Sequence, residues 1–432
     1  MRIALIAIVC ALAALAAPSA AGAHAALQTA SPGSGRTLGS APQELELVFS
    51  EEVIQRYARV SVLSSNGENL AGAPRVSGDV VVVPLRQART GSYTVRWRMV
   101  SGDDGHASAG AYSFGVRAKP QPPAPVKGLT VPVAPQALAW LQFLGVVLAG
   151  GLLAVRALVW APARRILGDA PAPDGKLAIA VAVVGAVIAV HAGTLAFLVG
   201  AYPVIGGGFV AFEHAAIEPI RAGTHAGQAW TASTFAWIGV LALLVAAWVT
   251  PRRREPLLAC AAAATLALAF GMSWASHPAS RGTLALLADY AHLVAGALWV
   301  GGLLALLILA RASRSLPPAT REAITRGCVL RFSALAAPTV ALVGAAGLYL
   351  LLRELPAPSA LVDSRYGITV LAKTGVALGA LALGGYHRCV VVPRLTAGTA
   401  VASLRGTLAV ELGVLVGVLA LAAVLSQTAP PG

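Results

Sequence analysis

The sequence predicts two structural parts, an all-β domain near the N-terminus and an all-α polytopic membrane domain of about eight transmembrane helices. Hydrophobic residues make up 57% of the 432 residues and charged residues only 12%, a composition too apolar for an ordinary soluble protein. Short runs with period-two alternation fill residues 24–118, whereas long apolar runs fill residues 134–427. These two patterns separate the parts.

Residues 1–23 have the features of a signal peptide. A basic start is followed by a short apolar run, and Ala21-Gly22-Ala23 fits the small-residue rule for cleavage. We therefore expect the mature chain to begin at His24. An uncleaved anchor helix is the alternative, although the apolar run is short and Pro18 interrupts it.

Residues 24–118 are predicted to form a small β-sandwich or barrel. The strand-like segments are Leu45–Phe49, Ala58–Leu63, Val80–Leu85, Tyr93–Val100 and Tyr112–Val116. The four cysteines of the chain lie outside residues 24–130, so we expect this domain to be stable without a disulfide. Residues 119–133 are rich in proline and are expected to form an extended linker.

Eight apolar runs in residues 134–427 are long enough to cross a bilayer. They lie near 134–160, 177–203, 228–250, 256–276, 283–310, 332–352, 366–389 and 405–427. If the β-domain is exported, the loops on the inner side contain fourteen basic residues and those on the outer side four. The inner residues are Arg164, Arg165, Lys176, Arg252, Arg253, Arg254, Arg311, Arg314, Arg321, Arg326, Arg331, Arg388, Arg394 and Arg405. The outer residues are Arg221, Arg281, Arg353 and Arg365. This bias also accounts for most of the net charge of +14 without a nucleic-acid partner.

A metal site is predicted in the β-domain. Cleavage before His24 would place a free α-amine beside its imidazole, and the two nitrogens could chelate a metal. In an extended segment Asp104 and His106 point to the same face, with Asp103 as the alternative carboxylate. Nitrogen donors with one oxygen suit Cu(II), and zinc is the competitor. By itself, this Asp-Gly-His run is also typical of a polar turn.

The β-domain resembles the CopC family of copper-binding proteins. The resemblance covers residues 24–117 and is carried by His24-Ala25-Ala26-Leu27, Ser31-Pro32, Phe49-Ser50-Glu51, Val100 to His106, Gly110 and Phe114. It implies a cupredoxin-like Greek-key β-barrel or sandwich with Cu(II) ligands at His24, Asp104 and His106. Because Met99 is the single methionine of this domain, we expect no methionine-rich Cu(I) site there.

Ionisable residues inside apolar spans are costly and are therefore functional candidates. The residues expected in the outer half of the bundle, on the side of the β-domain, are His191, Met272, His277, Asp289 and His292. Asp289 and His292 are three apart, so they could form a carboxylate–imidazole pair. The alternative for each histidine is an interhelical hydrogen bond. His214 and His225 are expected to face solvent.

Other polar residues of the membrane domain have no assigned role. Lys373 and Glu411 are expected at different depths, which argues against a direct pair. His387 and Cys389 are two residues apart and do not share a helix face, which argues against a joint metal site.

The membrane domain resembles the CopD family of copper-resistance membrane proteins. The resemblance runs over most of residues 134–427 and is carried by Ser276-His277, Asp289-Tyr290-Ala291-His292, Leu298 to Gly302, Arg331-Phe332-Ser333 and Lys373. It implies movement of copper, as Cu(I) or Cu(II), across the membrane.

The resulting hypothesis is a multi-pass protein of the bacterial cytoplasmic (inner) membrane that binds copper with its β-domain on the periplasmic or extracellular side. Copper transport, in resistance or uptake, is favoured over an enzyme. The alternatives are a membrane redox or haem protein, which needs two facing histidines, and a copper chaperone or sensor without transport. The expected partners are copper ion, the lipid bilayer, and periplasmic copper chaperones or cuproprotein-assembly factors. No nucleotide-binding Gly-x-x-x-x-Gly-Lys motif was found, which argues against ATP-driven export.

Overall fold

The computed structural model describes residues 26–86, 89–102, 105, 107–123, 134–164, 175–205, 214–394, 401–428 and 430–431. The predicted signal peptide, most of the predicted linker and the three predicted copper ligands of the β-domain lie outside the described residues.

The β-domain is a sandwich of two four-stranded sheets. The strands are β1 (Leu27–Ser31), β2 (Thr37–Leu38), β3 (Glu44–Phe49), β4 (Arg59–Ser64), β5 (Arg75–Ser77), β6 (Val80–Pro84), β7 (Gly91–Val100) and β8 (Ala107–Val116). One sheet has the order β1-β3-β6-β5 and the other β2-β8-β7-β4. Every pairing is antiparallel except β2 with β8.

Alternation along β3 explains how the sandwich closes. Leu45, Leu47 and Phe49 are fully or almost fully buried, whereas Glu44 and Glu46 on the other face are exposed. The Phe49 ring meets Trp97 of the opposite sheet edge to face, with 5.1 Å between ring centroids. Burial of each such side chain stabilises the folded domain by about 1.5–3 kcal/mol relative to leaving it exposed. The core forms without a disulfide.

The five predicted strands are confirmed, and three further strands are present. β1, β2 and β5 escaped prediction because they are short and show little apolar alternation. β2 has only two residues, and β1 and β5 are edge strands with mostly exposed positions. Their pairing with longer neighbours defines them, and that pairing is not visible in their own sequence.

The membrane domain is built from long α-helices. They are α1 (Ala134–Val146), α2 (Lys176–Ile205), α3 (His214–Gly223), α4 (His225–Val249), α5 (Arg254–Trp274), α6 (His277–Ser280), α7 (Thr283–Ala312), α8 (Pro318–Glu354), α9 (Ala360–Asp363), α10 (Arg365–Tyr386) and α11 (Val401–Ser426). Helix α1 continues through two π-helical segments, Val147–Gly151 and Arg156–Trp160, to Ala163. Helix α10 continues through a third, His387–Val391, to Arg394.

Eight of these helical stretches in the described residues are long and apolar enough to cross a membrane, which confirms the predicted spans. Large apolar side chains such as Phe235 and Leu352 remain exposed on the outside of the bundle, as expected of surfaces that face lipid. The sixth span differs most from its prediction, because α8 begins at Pro318 and extends well before the apolar run. The chain is therefore a multi-pass membrane protein.

Helices α1 and α7 cross at a contact between glycines. A Cβ added to Gly151 would lie 1.9 Å from the carbonyl oxygen of Ala297, and one added to Gly301 would lie 2.4 Å from the carbonyl carbon of Gly151. Small residues allow this backbone contact, which is a common way of packing helices in membranes.

The β-domain lies against one end of the bundle. The backbone N–H of His225, at the start of α4, donates to the carbonyl of Gly102 at 3.0 Å. We call the half of the bundle that carries the β-domain the outer half, and the opposite half the inner half.

Candidate functional site

The described residues next to the predicted copper ligands converge on one short segment of the β-domain. The ligands themselves, His24, Asp104 and His106, lie outside the described residues. Ala26, two residues after the first ligand, exchanges hydrogen bonds with Ser50 at 2.9 and 3.0 Å. Ser101, which precedes the other two, donates to the neighbouring Glu51 carboxylate at 2.6 Å. The two chain segments that carry the predicted ligands therefore meet at Ser50 and Glu51.

Gly105, which lies between the predicted ligands Asp104 and His106 in the chain, contacts the membrane domain. Gly105 has a φ of +72°, a left-handed conformation that favours glycine. Its α-carbon faces the start of α4, because an added Cβ would lie 3.5 Å from Thr224 Oγ1 and 3.6 Å from Ala226 Cβ. Thr224 is fixed in turn as the N-cap of α4, where its hydroxyl accepts from Gly227 N at 2.8 Å. Gly105 is thus held at the outer end of the bundle.

A carboxylate–imidazole pair joins the two parts directly. His277 Nδ1, at the start of α6, lies 3.2 Å from Glu51 Oε1, and the second oxygen of that carboxylate accepts from Ser101. Both residues of the pair are largely shielded from solvent. The same carboxylate therefore contacts the segment leading to the predicted ligands Asp104 and His106, and also the outer end of the bundle.

A cavity of about 1480 Å³ opens beneath this contact. The β-domain contributes Arg98, Gly105 and Ala107 to its wall. Most of the remaining wall is apolar and comes from the membrane helices. The polar or ionisable residues that the helices contribute include His277, Asp289, His292, Glu354, Tyr366 and Lys373. The cavity extends from Gly105 of the β-domain into the outer half of the bundle.

Asp289 and His292 have different hydrogen-bond partners in the structure, and His292 takes the alternative of an interhelical hydrogen bond. Asp289 Oδ2 accepts from Ser276 Oγ at 3.3 Å, whereas His292 Nδ1 is 2.9 Å from the carbonyl of Val343. His292 lies three residues after Asp289 on α7, and its imidazole points toward α8. Gly347 of α8 leaves room for the ring. Both side chains nevertheless line the same cavity.

Of the other predicted residues, Met272 and His277 line the cavity and His191 does not. His191 is exposed on α2, and its Nδ1 lies 2.8 Å from the carbonyl of Val187 on its own helix. It therefore lies outside the cavity that the other described residues of the predicted copper path line. His225 also differs from the prediction, because its ring stacks on Trp274 with 4.6 Å between centroids instead of facing solvent. The side chain of His214 lies outside the described residues.

Sequence reasoning missed Glu354, a buried acidic residue at the end of α8. Its carboxylate lies 3.6 Å from the guanidinium of Arg281, and neither oxygen has a hydrogen-bond partner among the described residues. The predicted sixth span ended at residue 352, which left Glu354 in a loop. The available signal was the position of Glu354 itself, an acidic residue beside Arg353 near the end of a membrane span.

Glu411 pairs with His387 in the inner half. The expected depths along the spans argue against Lys373 as its partner, but they do not predict His387. The distance from His387 Nδ1 to Glu411 Oε2 is 2.8 Å. Cys389 is exposed whereas His387 is buried, so the two do not share a face.

The polar groups of the cavity form pairs and do not form a single coordination sphere. No cluster of three or more histidine, cysteine, aspartate or glutamate residues in the described part of the chain is suited to hold a metal ion. The histidines His191, His277, His292 and His387 each hydrogen-bond to a different, non-histidine partner.

Comparison with known proteins gives two family matches. The CopC domain model matches residues 27–117, and the model for copper resistance protein D (CopD) matches residues 326–425. Protein YobA of Escherichia coli (strain K12) is 33% identical over 100 residues, which are 22% of this chain and 80% of that protein. Copper resistance protein C of Pseudomonas syringae pv. tomato is 30% identical over 105 residues, with 22% of this chain and 82% of that protein covered.

A third relative covers both parts. Copper transport protein CutJ of Bacillus subtilis (strain 168) is 25% identical over 451 residues, with 98% of this chain and 77% of that protein covered. Two of these relatives match about 100 residues of this chain, whereas CutJ matches nearly the whole chain. The chain belongs to the CopC family through its β-domain and, with a CopD region in its membrane domain, is a CopC–CopD fusion.

Proposed function

We propose that this protein captures copper with its β-domain and passes it through the cavity into the membrane bundle for transport. The observation that carries the proposal is the shared cavity, because Gly105 and Ala107, which flank position 106 in the chain, line it together with His277 and Asp289. The family matches and the copper transport and copper resistance names of the relatives support a copper-related function.

Capture is assigned to His24, Asp104 and His106. Removal of residues 1–23 would give His24 the free amine that closes a chelate ring. The hydrogen bonds at Ser50 and Glu51 support convergence of the two ligand segments, since Ala26 and Ser101 lie only two or three residues from the nearest predicted ligands. Nitrogen donors with a carboxylate favour Cu(II) in this site.

Transfer is assigned to the outer half of the bundle. Its cavity offers imidazole, carboxylate and thioether donors at His277, His292, Asp289 and Met272. The Glu51–His277 pair bridges the two parts, so a cation leaving the β-domain meets polar donors before it meets apolar wall. The basic bias of the opposite loops supports an extracytoplasmic β-domain.

The capture site is tested by copper titration of the purified full-length protein, with electron paramagnetic resonance to count nitrogen donors. We expect one Cu(II) site whose affinity falls at least about tenfold in His106→Ala, the loss typical of even indirect ligand contacts. Addition of one residue before His24 should be as damaging, because it moves the amine. Met99→Leu is the control, since Met99 is buried in the sandwich core. Unchanged affinity in both altered proteins would exclude the assigned site.

Transport is tested by radiocopper flux into sealed vesicles that contain the purified protein. We expect flux in the native protein and its loss in Asp289→Asn and His277→Ala, because both side chains line the cavity. His191→Ala is the matched control, as that histidine is exposed on α2 away from the cavity. Copper binding without flux would instead support a chaperone or sensor, and a haem absorption band would support a cytochrome.

A further inference from the structure

The inner half of the bundle holds an ionisable pair that the proposed copper path does not use. His387, the first residue of the π-helical segment after α10, places Nδ1 2.8 Å from Glu411 Oε2 on α11. The other oxygen of Glu411 accepts from the indole Nε1 of Trp299 on α7 at 3.2 Å. Glu411 is only 1% exposed and His387 7%. Three helices therefore meet at one buried carboxylate.

One nitrogen of the pair has no hydrogen-bond partner in the described part of the chain. His387 Nε2 is buried and has no hydrogen-bond partner among the described residues. When Nδ1–H donates to the carboxylate, Nε2 carries an unused lone pair and the pair bears one negative charge. A buried charge of this kind is costly in a membrane, and one additional proton would neutralise it.

The pair also lies directly below the outer cavity. Trp299 lines that cavity and donates to Glu411 on the side away from His387. Trp299 therefore contacts both the cavity and the pair. On the other side, the chain continues from His387 to Arg388 and Arg394 at the predicted inner surface.

We propose that the Glu411–His387 pair is a proton-binding site coupled to the movement of copper through the bundle. The coupling rests on the proposed transport function. A copper cation above Trp299 and a proton on the pair are like charges in a medium of low dielectric constant, so each disfavours the other. Copper entry releases the proton from the pair toward the inner side, and copper departure lets a proton return.

Neighbouring charged groups do not neutralise the pair. Arg388 donates to Ser333 on α8, and Arg405 at the start of α11 donates to the carbonyl of Ala310 on α7. The ring of Tyr386, the preceding residue, is 6.3 Å from that of His387. Among the described residues, the recorded ion pair of Glu411 is with His387.

Proton binding is tested first by infrared difference spectroscopy of the purified full-length protein between acidic and alkaline pH. Proton uptake at His387 Nε2 gives an imidazolium hydrogen-bonded to the Glu411 carboxylate, so it should change both imidazole and carboxylate bands. Glu411→Gln keeps the shape of the side chain but replaces one acceptor oxygen with an NH2 donor and removes the charge, so it should abolish those bands. Asp363→Asn, a carboxyl-to-amide change at an exposed position of α9, should leave them intact. Identical difference spectra for native protein and Glu411→Gln would overturn the proposal.

Coupling is tested by simultaneous measurement of radiocopper and proton movement in vesicles with an internal pH dye. In the native protein we expect copper flux to be accompanied by proton movement and to slow as the pH on the inner side falls, because the proton then stays on the pair. Glu411→Gln should lose both the proton movement and the pH dependence, and Asp363→Asn should keep both.

The infrared experiment and the flux experiment together distinguish failure of this proposal from failure of the transport proposal. Absence of copper flux in the native protein, together with infrared bands that depend on Glu411, would refute transport and therefore the coupling, but would retain the proton site. Copper flux that is equally dependent on pH in Glu411→Gln would refute the coupling alone. A melting temperature close to that of the native protein shows that the variant is folded.

Discussion

The outer and inner halves of the bundle hold their ionisable groups in opposite ways. In the outer half, Asp289 has a hydrogen bond of 3.3 Å to Ser276 and Glu354 an ion pair of 3.6 Å with Arg281, and both line a large cavity. In the inner half, Glu411 has a bond of 2.8 Å to His387 and a second to Trp299, in a packed environment. The outer groups face open space in the cavity, whereas the inner pair is enclosed by packed helices.

Under the proposed function, this difference corresponds to a path that is open toward the β-domain and closed toward the inner side. Trp299 marks the transition, because it lines the cavity and contacts the inner pair. A transporter needs such an asymmetry, since simultaneous opening at both ends would leak ions. The structure therefore corresponds to an outward-open arrangement under the proposed function.

The largest expected effect is a contrast in accessibility between the two halves. After replacement of Cys260, Cys328 and Cys389 by alanine, a cysteine at position 374 should react with a membrane-impermeant maleimide added on the side of the β-domain. Thr374 lines the cavity, whereas Val414 on α11 is buried. The matched Val414→Cys variant should remain unlabelled. Equal labelling of the two variants would show that the halves do not differ in this way.

The second prediction concerns the packing that separates the halves. Gly301→Ala should destabilise the protein by about 1–3 kcal/mol or more, because the new Cβ would collide with the backbone at Gly151. Thermal unfolding in detergent, followed by circular dichroism, measures the loss. Gly296→Ala on the same helix is the control, since no atom lies within 4 Å of its added Cβ. A similar melting temperature for both variants would contradict the close crossing.

The smallest effect is expected where the β-domain meets the outer half. Glu51→Gln removes the charge from the pair with His277 and should weaken docking of the β-domain by about 1 kcal/mol. Hydrogen exchange of backbone amides in residues 219–230 should then become several-fold faster, since His225 N donates to Gly102 across this interface. Glu46→Gln, at an exposed position of β3, is the control. Unchanged exchange in Glu51→Gln would show that the pair does not hold the two parts together.

Much of the fold could be predicted from the sequence because its signals are local. An apolar run of the right length predicts a membrane span whatever surrounds it, and all eight were recovered. Alternation along β3 likewise predicts its buried face. Strand β5 could not be predicted, because its three residues become a strand only through pairing with β6.

The candidate site was predicted less completely, because helix spacing does not determine which neighbour a side chain meets. Asp289 and His292 have the spacing of a pair, yet His292 bonds to Val343 on α8. His191 has a suitable depth but faces away from the cavity. Glu51 was quoted only as part of a family motif, and its bond to His277 spans 226 positions of sequence. Contacts of that range depend on how helices rotate and pack.

The sequence by itself therefore determined the class of each segment, the number of spans and which residue types are costly in a membrane. Each of these follows from composition and period within a single segment. Only the tertiary structure decided that the β-domain docks on α4 and α6, that one cavity unites His277, Asp289 and Lys373, and that Glu411 pairs with His387. The physical reason is that a buried polar group takes the partner that packing brings within about 3 Å, and packing is a property of the whole bundle.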